Sequence, residues 1–123
     1  MFNLRDPQSA FALLIILGAV FYFYLSSGVR GDPAHLKALV QSGALLVDVR
    51  TPGEYAKDHI SGAVNIPLDQ VETRLEEFGA PHRQIVVYCV SGRRSARAQS
   101  ILKTRGFDQV HNLGGRSAWP ADP

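Results

Sequence analysis

The sequence is short of several things at once. One of its 123 residues is cysteine, so neither an internal disulfide framework nor a cysteine-rich zinc site can form. Neither sign of charge is in excess. The 13 Lys and Arg against 11 Asp and Glu leave a formal net charge of +2, so bulk charge makes no case for a nucleic-acid partner. Polar bias is missing too, and an apolar share of 46% excludes a disordered chain. The length leaves room for one ordinary domain and not for two. We find no internal repeat and no low-complexity tract. His35, His82 and His111 show no metal-ligand spacing to one another or to Cys89. No metal and no cofactor is expected.

The most informative absence is local. From Pro7 to Val29 there is no charged residue, and Ala10 to Leu25 reads AFALLIILGAVFYFYL. As a helix this window spans roughly 34 Å, enough to cross a hydrocarbon core of about 30 Å. A core helix apolar on every face would be about as large as the core it had to enter. Two readings remain. A cleaved signal peptide fits the small residues Ser26, Ser27 and Gly28. A retained anchor fits the length of the run, the single Arg5 offset by Asp6, and the aromatics Phe21–Tyr24 at the level of an interfacial belt. We favour the anchor and divide the chain into residues 1–29, a transmembrane anchor or signal segment, and 30–123, a soluble domain. Arg5 and Asp6 lie on one side of the run, and Arg30, Asp32 and Lys37 on the other. With charge so evenly offset, the positive-inside rule assigns no orientation.

Within 30–123, strand and helix signals alternate. Asp32-Pro33 opens a helix that Gly43 ends, with Leu36, Leu39 and Val40 on one face. Ala44–Val49 reads as a buried strand, Glu54–His59 as a short helix and Ala63–Ile66 as a strand. The spacing of Leu68, Val71, Leu75 and Phe78 predicts a helix over 68–78, closed by Gly79. Ile85–Tyr88 is the strongest strand signal, Ser95–Arg105 a helix ended by Gly106, and Val110–Leu113 a last strand. Such alternation predicts an α/β fold, a parallel sheet covered by helices on both faces.

Ligands of such sheets bind beyond the carboxyl ends of the strands. The strand Ile85–Tyr88 delivers Cys89 there, followed by Val90-Ser91-Gly92-Arg93-Arg94-Ser95 and a helix. Gly92 permits a tight path in which successive N–H groups turn inward as an anion nest. The helix amino terminus adds unpaired donors and a positive dipole end. From Ser91 to Arg105 there are five basic residues and no acidic one. A cysteine so placed has a lowered pKa, is a thiolate near neutral pH, and sits where an anionic substrate is attracted. That is an activated nucleophile without a neighbouring base. Lys103 and Arg105 read as a solvated helix face.

These residues resemble a family, the single-domain rhodaneses. The likeness runs in three blocks. The first is Asp48-Val49-Arg50, then Glu54-Tyr55, then His59-Ile60-x-Gly62-Ala63-x-Asn65-Ile66-Pro67. The second is Cys89-x-x-Gly92-x-Arg94-Ser95, and the third is Gly114-Gly115 followed by Ala118-Trp119. The resemblance implies a rhodanese-like α/β fold with about five parallel strands. It also implies sulfur transfer: Cys89 takes the outer sulfur of a small anionic donor such as thiosulfate, becomes a persulfide, and passes the sulfur to cyanide or a thiol. The loop from Val90 to Ser95 would hold the donor and the persulfide, with Arg93 and Arg94 supplying charge. Asp48 and Arg50 are expected to form a supporting polar network, His59 to bond a loop, and Trp119 to pack.

A cysteine phosphatase needs five residues between Cys and Arg. Here the sixth residue after Cys89 is Ser95 and Arg94 comes one position early, which argues against that chemistry. A non-catalytic docking module at the membrane, or a protein persulfide carrier, is the alternative function. The expected setting is a monomer anchored through residues 7–29. Its domain would lie on the periplasmic side of a bacterial inner membrane; cleavage, or an anchor facing the cytoplasm, is the alternative.

Overall fold

The computed structural model describes residues 3, 5–27 and 30–122. Gly28, Val29 and Pro123 lie outside the described residues, so the division expected after residue 29 falls there. Helix α1 runs Pro7–Ser27. By length and composition its stretch Pro7–Tyr24 can cross a membrane, and none of that stretch is buried. Phe11, Ile15, Val20 and Tyr22 are all more than half exposed.

The remainder is built on four parallel strands: β1 (Leu45–Asp48), β2 (Val64–Asn65), β3 (Ile85–Cys89) and β4 (Val110–Gly115), in the order β2-β1-β3-β4. The chain leaves β1 toward β2 on one side and returns to β3 on the other. The carboxyl ends of β1 and β3 therefore meet where the strand order reverses, the usual ligand crevice of such sheets. Every residue of β3 is buried. Alternation sends Ile85, Val87 and Cys89 to one face and Val86 and Tyr88 to the other. Helix α4 (Arg93–Thr104) covers the first face, joined by Val71, Phe78 and Phe107. Helices α2 (Pro33–Gln41) and α3 (Pro52–Lys57) belong to the second face, with Leu36, Tyr55 and Trp119 packed there.

Two expectations are corrected. Among the described residues the sheet has four strands rather than about five. The fifth position is reduced to one parallel bridge, Arg30 with Asn112, with the Gly31 N–H donating to the Asn112 carbonyl at 2.9 Å. Pairing stops there because Pro33 has no N–H and begins α2. The segment 68–78 is not a helix but two 3₁₀ turns, Leu68–Gln70 and Leu75–Phe78. The Thr73 hydroxyl and N–H both donate to the Gln70 carbonyl, at 3.1 and 3.2 Å, a local bond that competes with helix continuation. Val71 and Phe78 still reach the core, because three-residue spacing brings side chains to one side in either geometry.

Candidate active site

Cys89 ends β3 with its side chain fully buried. The next residues leave the sheet, and Gly92 takes φ +90°, the left-handed conformation glycine adopts freely. This bend turns the Gly92 N–H back onto the Cys89 Sγ at 3.0 Å. Ser95, in the first turn of α4, sets its Oγ 3.4 Å from the same sulfur. Burial pushes the Cys89 thiol up. The Ser95 hydroxyl and the N–H groups of Ser95, Gly92 and Ser91 outweigh it, so the thiol lies below its ordinary value. These donors favour the thiolate and would equally favour an anion bound on it.

Helix α4 begins at Arg93, two residues earlier than the sequence pattern places it. Both arginines therefore sit in its first turn, the wrong sign for the helix dipole unless anions face them. One anion is present. Arg94 forks onto Glu54 of α3, Nη1 to Oε1 at 2.7 Å and Nη2 to Oε2 at 3.0 Å. Arg94 thus does not stand free for a substrate. The Arg93 side chain is exposed and makes no hydrogen bond or ion pair among the described residues. Val90 and Ser91 are exposed on the outside of the loop. Beside the loop lies a cleft of ≈ 620 Å³ lined by Val49, Thr51, Leu68, Glu72, Arg94 and Arg97, but Cys89 is not among its walls.

The loop is braced from β4. Asn112 donates from Nδ2 to the Gly92 carbonyl at 3.2 Å and accepts at Oδ1 from the Gly114 N–H at 2.9 Å. Gly115 is pressed against the loop so closely that a Cβ there would fall 2.3 Å from the Val90 carbonyl oxygen. Arg30 donates from Nη2 to the Ser91 carbonyl.

Asp48 and Arg50 lie at the end of β1. Arg50 donates from Nε to both Asp48 oxygens at 3.0 Å and from Nη2 to Oδ2 at 2.7 Å. It also donates to the Asp58 carbonyl at 2.6 Å. The Tyr88 hydroxyl donates to Asp48 Oδ2 at 2.9 Å and accepts the Ile60 N–H at 3.1 Å. The hydrogen bond to Asp48 raises the Arg50 pKa, and burial raises that of Tyr88. Both groups therefore keep their protons. The Asn65 amide donates to the Asp48 and Arg50 carbonyls, each at 3.0 Å. His59 bonds the Tyr55 carbonyl through Nδ1 at 2.8 Å and stacks on the Tyr55 ring.

Sequence reasoning missed Arg30, Asn112 and Glu54. Glu54 had a signal: Thr51-Pro52-Gly53-Glu54 is a capping box with Pro in the first turn, and both reciprocal bonds are present. Arg30 and Asn112 act on the loop across 61 and 20 residues of chain, and nothing local marks them.

Fold and loop together define a class: single-domain α/β proteins that seat a cysteine at a strand end, inside a nest of N–H groups at a helix start. The model of the rhodanese-like domain matches residues 32–122. The chain belongs to the rhodanese-like family. It is 34% identical over 105 residues to the thiosulfate sulfurtransferase GlpE of Pseudomonas fluorescens, covering 80% of this chain and 94% of that one. It is 41% identical over 70 residues to the thiosulfate sulfurtransferase PspE of Escherichia coli, covering 56% and 67%. Among solved structures, a human single-domain sulfurtransferase superposes with a TM-score of 0.65 at 28% identity, over 72% of this chain and 91% of that one.

Proposed function

We propose that the protein is a sulfurtransferase that moves sulfane sulfur from thiosulfate, or a donor of the same chemistry, to a thiophilic acceptor through Cys89. The Cys89 thiolate attacks the outer sulfur of thiosulfate. The S–S bond of the donor breaks, sulfite departs with the bonding pair, and a Cys89 persulfide anion remains. Cyanide then takes the terminal sulfur as thiocyanate, or a thiol takes it as a new persulfide, and the thiolate returns. The observation that carries this reading is the Gly92 N–H held 3.0 Å from the sulfur with the Ser95 hydroxyl beside it. Donors so arranged stabilise the attacking anion and the persulfide alike. The relatives named as thiosulfate sulfurtransferases support the choice of donor.

In this reading Val90 to Ser95 cradle the donor, and Arg93, unpaired at the mouth, draws it in. Helix α1 is a single-pass anchor. It holds the monomer to a bacterial inner membrane with the domain on the periplasmic side; the exposed apolar surface of the helix supports the anchoring. The test is an intact mass before and after thiosulfate, with Cys89→Ser as control. A gain of one sulfur atom on the native chain alone, reversed by cyanide, is the expected result. A folded, reduced protein that gains nothing would overturn the reading in favour of a docking module.

A further inference from the structure

Arg30 reaches the Cys89 loop from the far side of β4. Its backbone is pinned there by the bridge to Asn112. Its side chain lies flat on two glycines: a Cβ on Gly92 would fall 3.0 Å from its Nη2, and one on Gly114 3.0 Å from its Cδ. The guanidinium then donates to the Ser91 carbonyl.

That carbonyl and the Gly92 N–H belong to one peptide unit. The described chain has no cis peptide bond, so the two groups point in opposite directions from a single plane. One end is held by Arg30 and the other is aimed at the Cys89 sulfur. With glycine at position 92, little steric resistance opposes turning this plane over. Turned over, it would present a carbonyl oxygen to the sulfur and repel a thiolate.

We propose that Arg30 is a positioning residue for the sulfur chemistry: by gripping the Ser91 carbonyl it keeps the Gly92 N–H aimed at Cys89. The cation also polarises the peptide and strengthens its donor. This rests on Cys89 being the nucleophile. The other charged groups near the loop include Arg93 and the Arg94–Glu54 pair on the α4 side, the Asp48–Arg50 pair at the end of β1, and the Arg116–Asp58 pair beyond β4. None of them hydrogen-bonds to the Ser91–Gly92 peptide unit.

The chain has a single cysteine, so alkylation by iodoacetamide reads Cys89 alone. The rate is followed against pH on the full chain for wild type, Arg30→Ala, Arg30→Met and Arg30→Lys. Arg30→Met keeps the packing on the two glycines without the donors. The expected result is a profile moved to higher pH in Arg30→Ala and Arg30→Met, with the acid limb about three- to tenfold slower. The alkaline plateau is kept and Arg30→Lys recovers part of the loss. A merely structural role would change stability and leave the profile in place. A wild-type profile in Arg30→Met, or an Arg30→Lys no better than it, overturns the proposal. A wild type that takes up no sulfur from thiosulfate would instead refute the sulfurtransferase reading, which the alkylation profile does not depend on.

Discussion

The carboxyl end of the sheet carries two polar constellations, one on either side of the reversal in strand order, and they are built in opposite ways. At the end of β1, Asp48, Arg50 and Tyr88 satisfy one another through side chains, and each principal donor there has an acceptor at 2.6–3.1 Å. At the end of β3 the donors are mostly backbone N–H groups, and they converge on one sulfur. A closed side-chain network has nothing left to offer a ligand. A backbone nest keeps its donors fixed by the fold, so it can hold whichever anion the sulfur becomes. The difference separates a constellation that holds strands together from one fitted to hold a negative charge on sulfur.

The largest effect is expected at the closed side. Asp48→Ala leaves the buried Arg50 without its carboxylate and the Tyr88 hydroxyl without its acceptor. A buried pair broken from one side costs about 3–5 kcal/mol. Against the roughly 5–15 kcal/mol that stabilises a small domain, that is a large share. Urea unfolding should show the loss. At low temperature the folded fraction should still take up sulfur, and loss of uptake from a well-folded Asp48→Asn would give this network a part in the chemistry.

The nest at the end of β3 is tested at Gly115, where added volume has no room beside the Val90 carbonyl. Gly115→Ala must displace the loop. A misplacement of about 1 Å can cost about 10²-fold in rate. Turnover with thiosulfate and cyanide should fall by that order while the thermal transition survives. Wild-type turnover would mean the loop tolerates the movement and β4 does not set its geometry.

Much of this is legible in the sequence, for identifiable reasons. Strands are marked by continuous apolar runs such as Ile85-Val86-Val87-Tyr88, because a parallel sheet is buried on both faces. Cys89 and its loop are marked by a strand running into a Gly-containing turn and a helix. The segment 68–78 misleads because the pairs Leu68/Val71 and Leu75/Phe78, three residues apart, share a side in an α-helix and in a 3₁₀ turn alike. Arg30 reads as a charge flanking an apolar segment, since its partner Ser91 is distant in sequence and near only through β4. The partner of Arg94 is hidden in the same way, although Glu54 itself sits in a readable capping box.

A smaller effect is expected from the two arginines of the α4 first turn. Arg94 is held by Glu54 and Arg93 is not held at all among the described residues. Replacing both by Ala should raise KM for thiosulfate roughly three- to tenfold and change stability little, the signature of lost binding rather than lost chemistry. Arg93→Ala alone should account for more of the rise than Arg94→Ala, because its charge is not already spent on a carboxylate. The reverse order would show that Arg94 leaves Glu54 when the donor arrives. Unchanged kinetics in the double variant would remove both from the mechanism.

The smallest effect is a pH dependence of the Arg94–Glu54 clamp. The hydrogen bond from Arg94, then that from the Thr51 N–H, hold the Glu54 carboxyl at about 2, against an ordinary value of 4.5. A folded-state value below the unfolded one means stability that is complete above about 4.5 and is lost as pH falls toward about 2. The two side chains are 36% and 33% exposed, so solvent screens the pair and its contribution stays below about 1 kcal/mol. Urea unfolding of wild type and Glu54→Gln from pH 7 down to pH 2 measures it. The two should differ by a constant amount down to about pH 5, and the difference should shrink steadily from there toward about pH 2. A difference that kept its full size down to pH 2 would mean that the charge of Glu54 does not carry the effect. In that case the Arg94–Glu54 pair would add nothing to stability, and Arg94 would count as free charge for the loop.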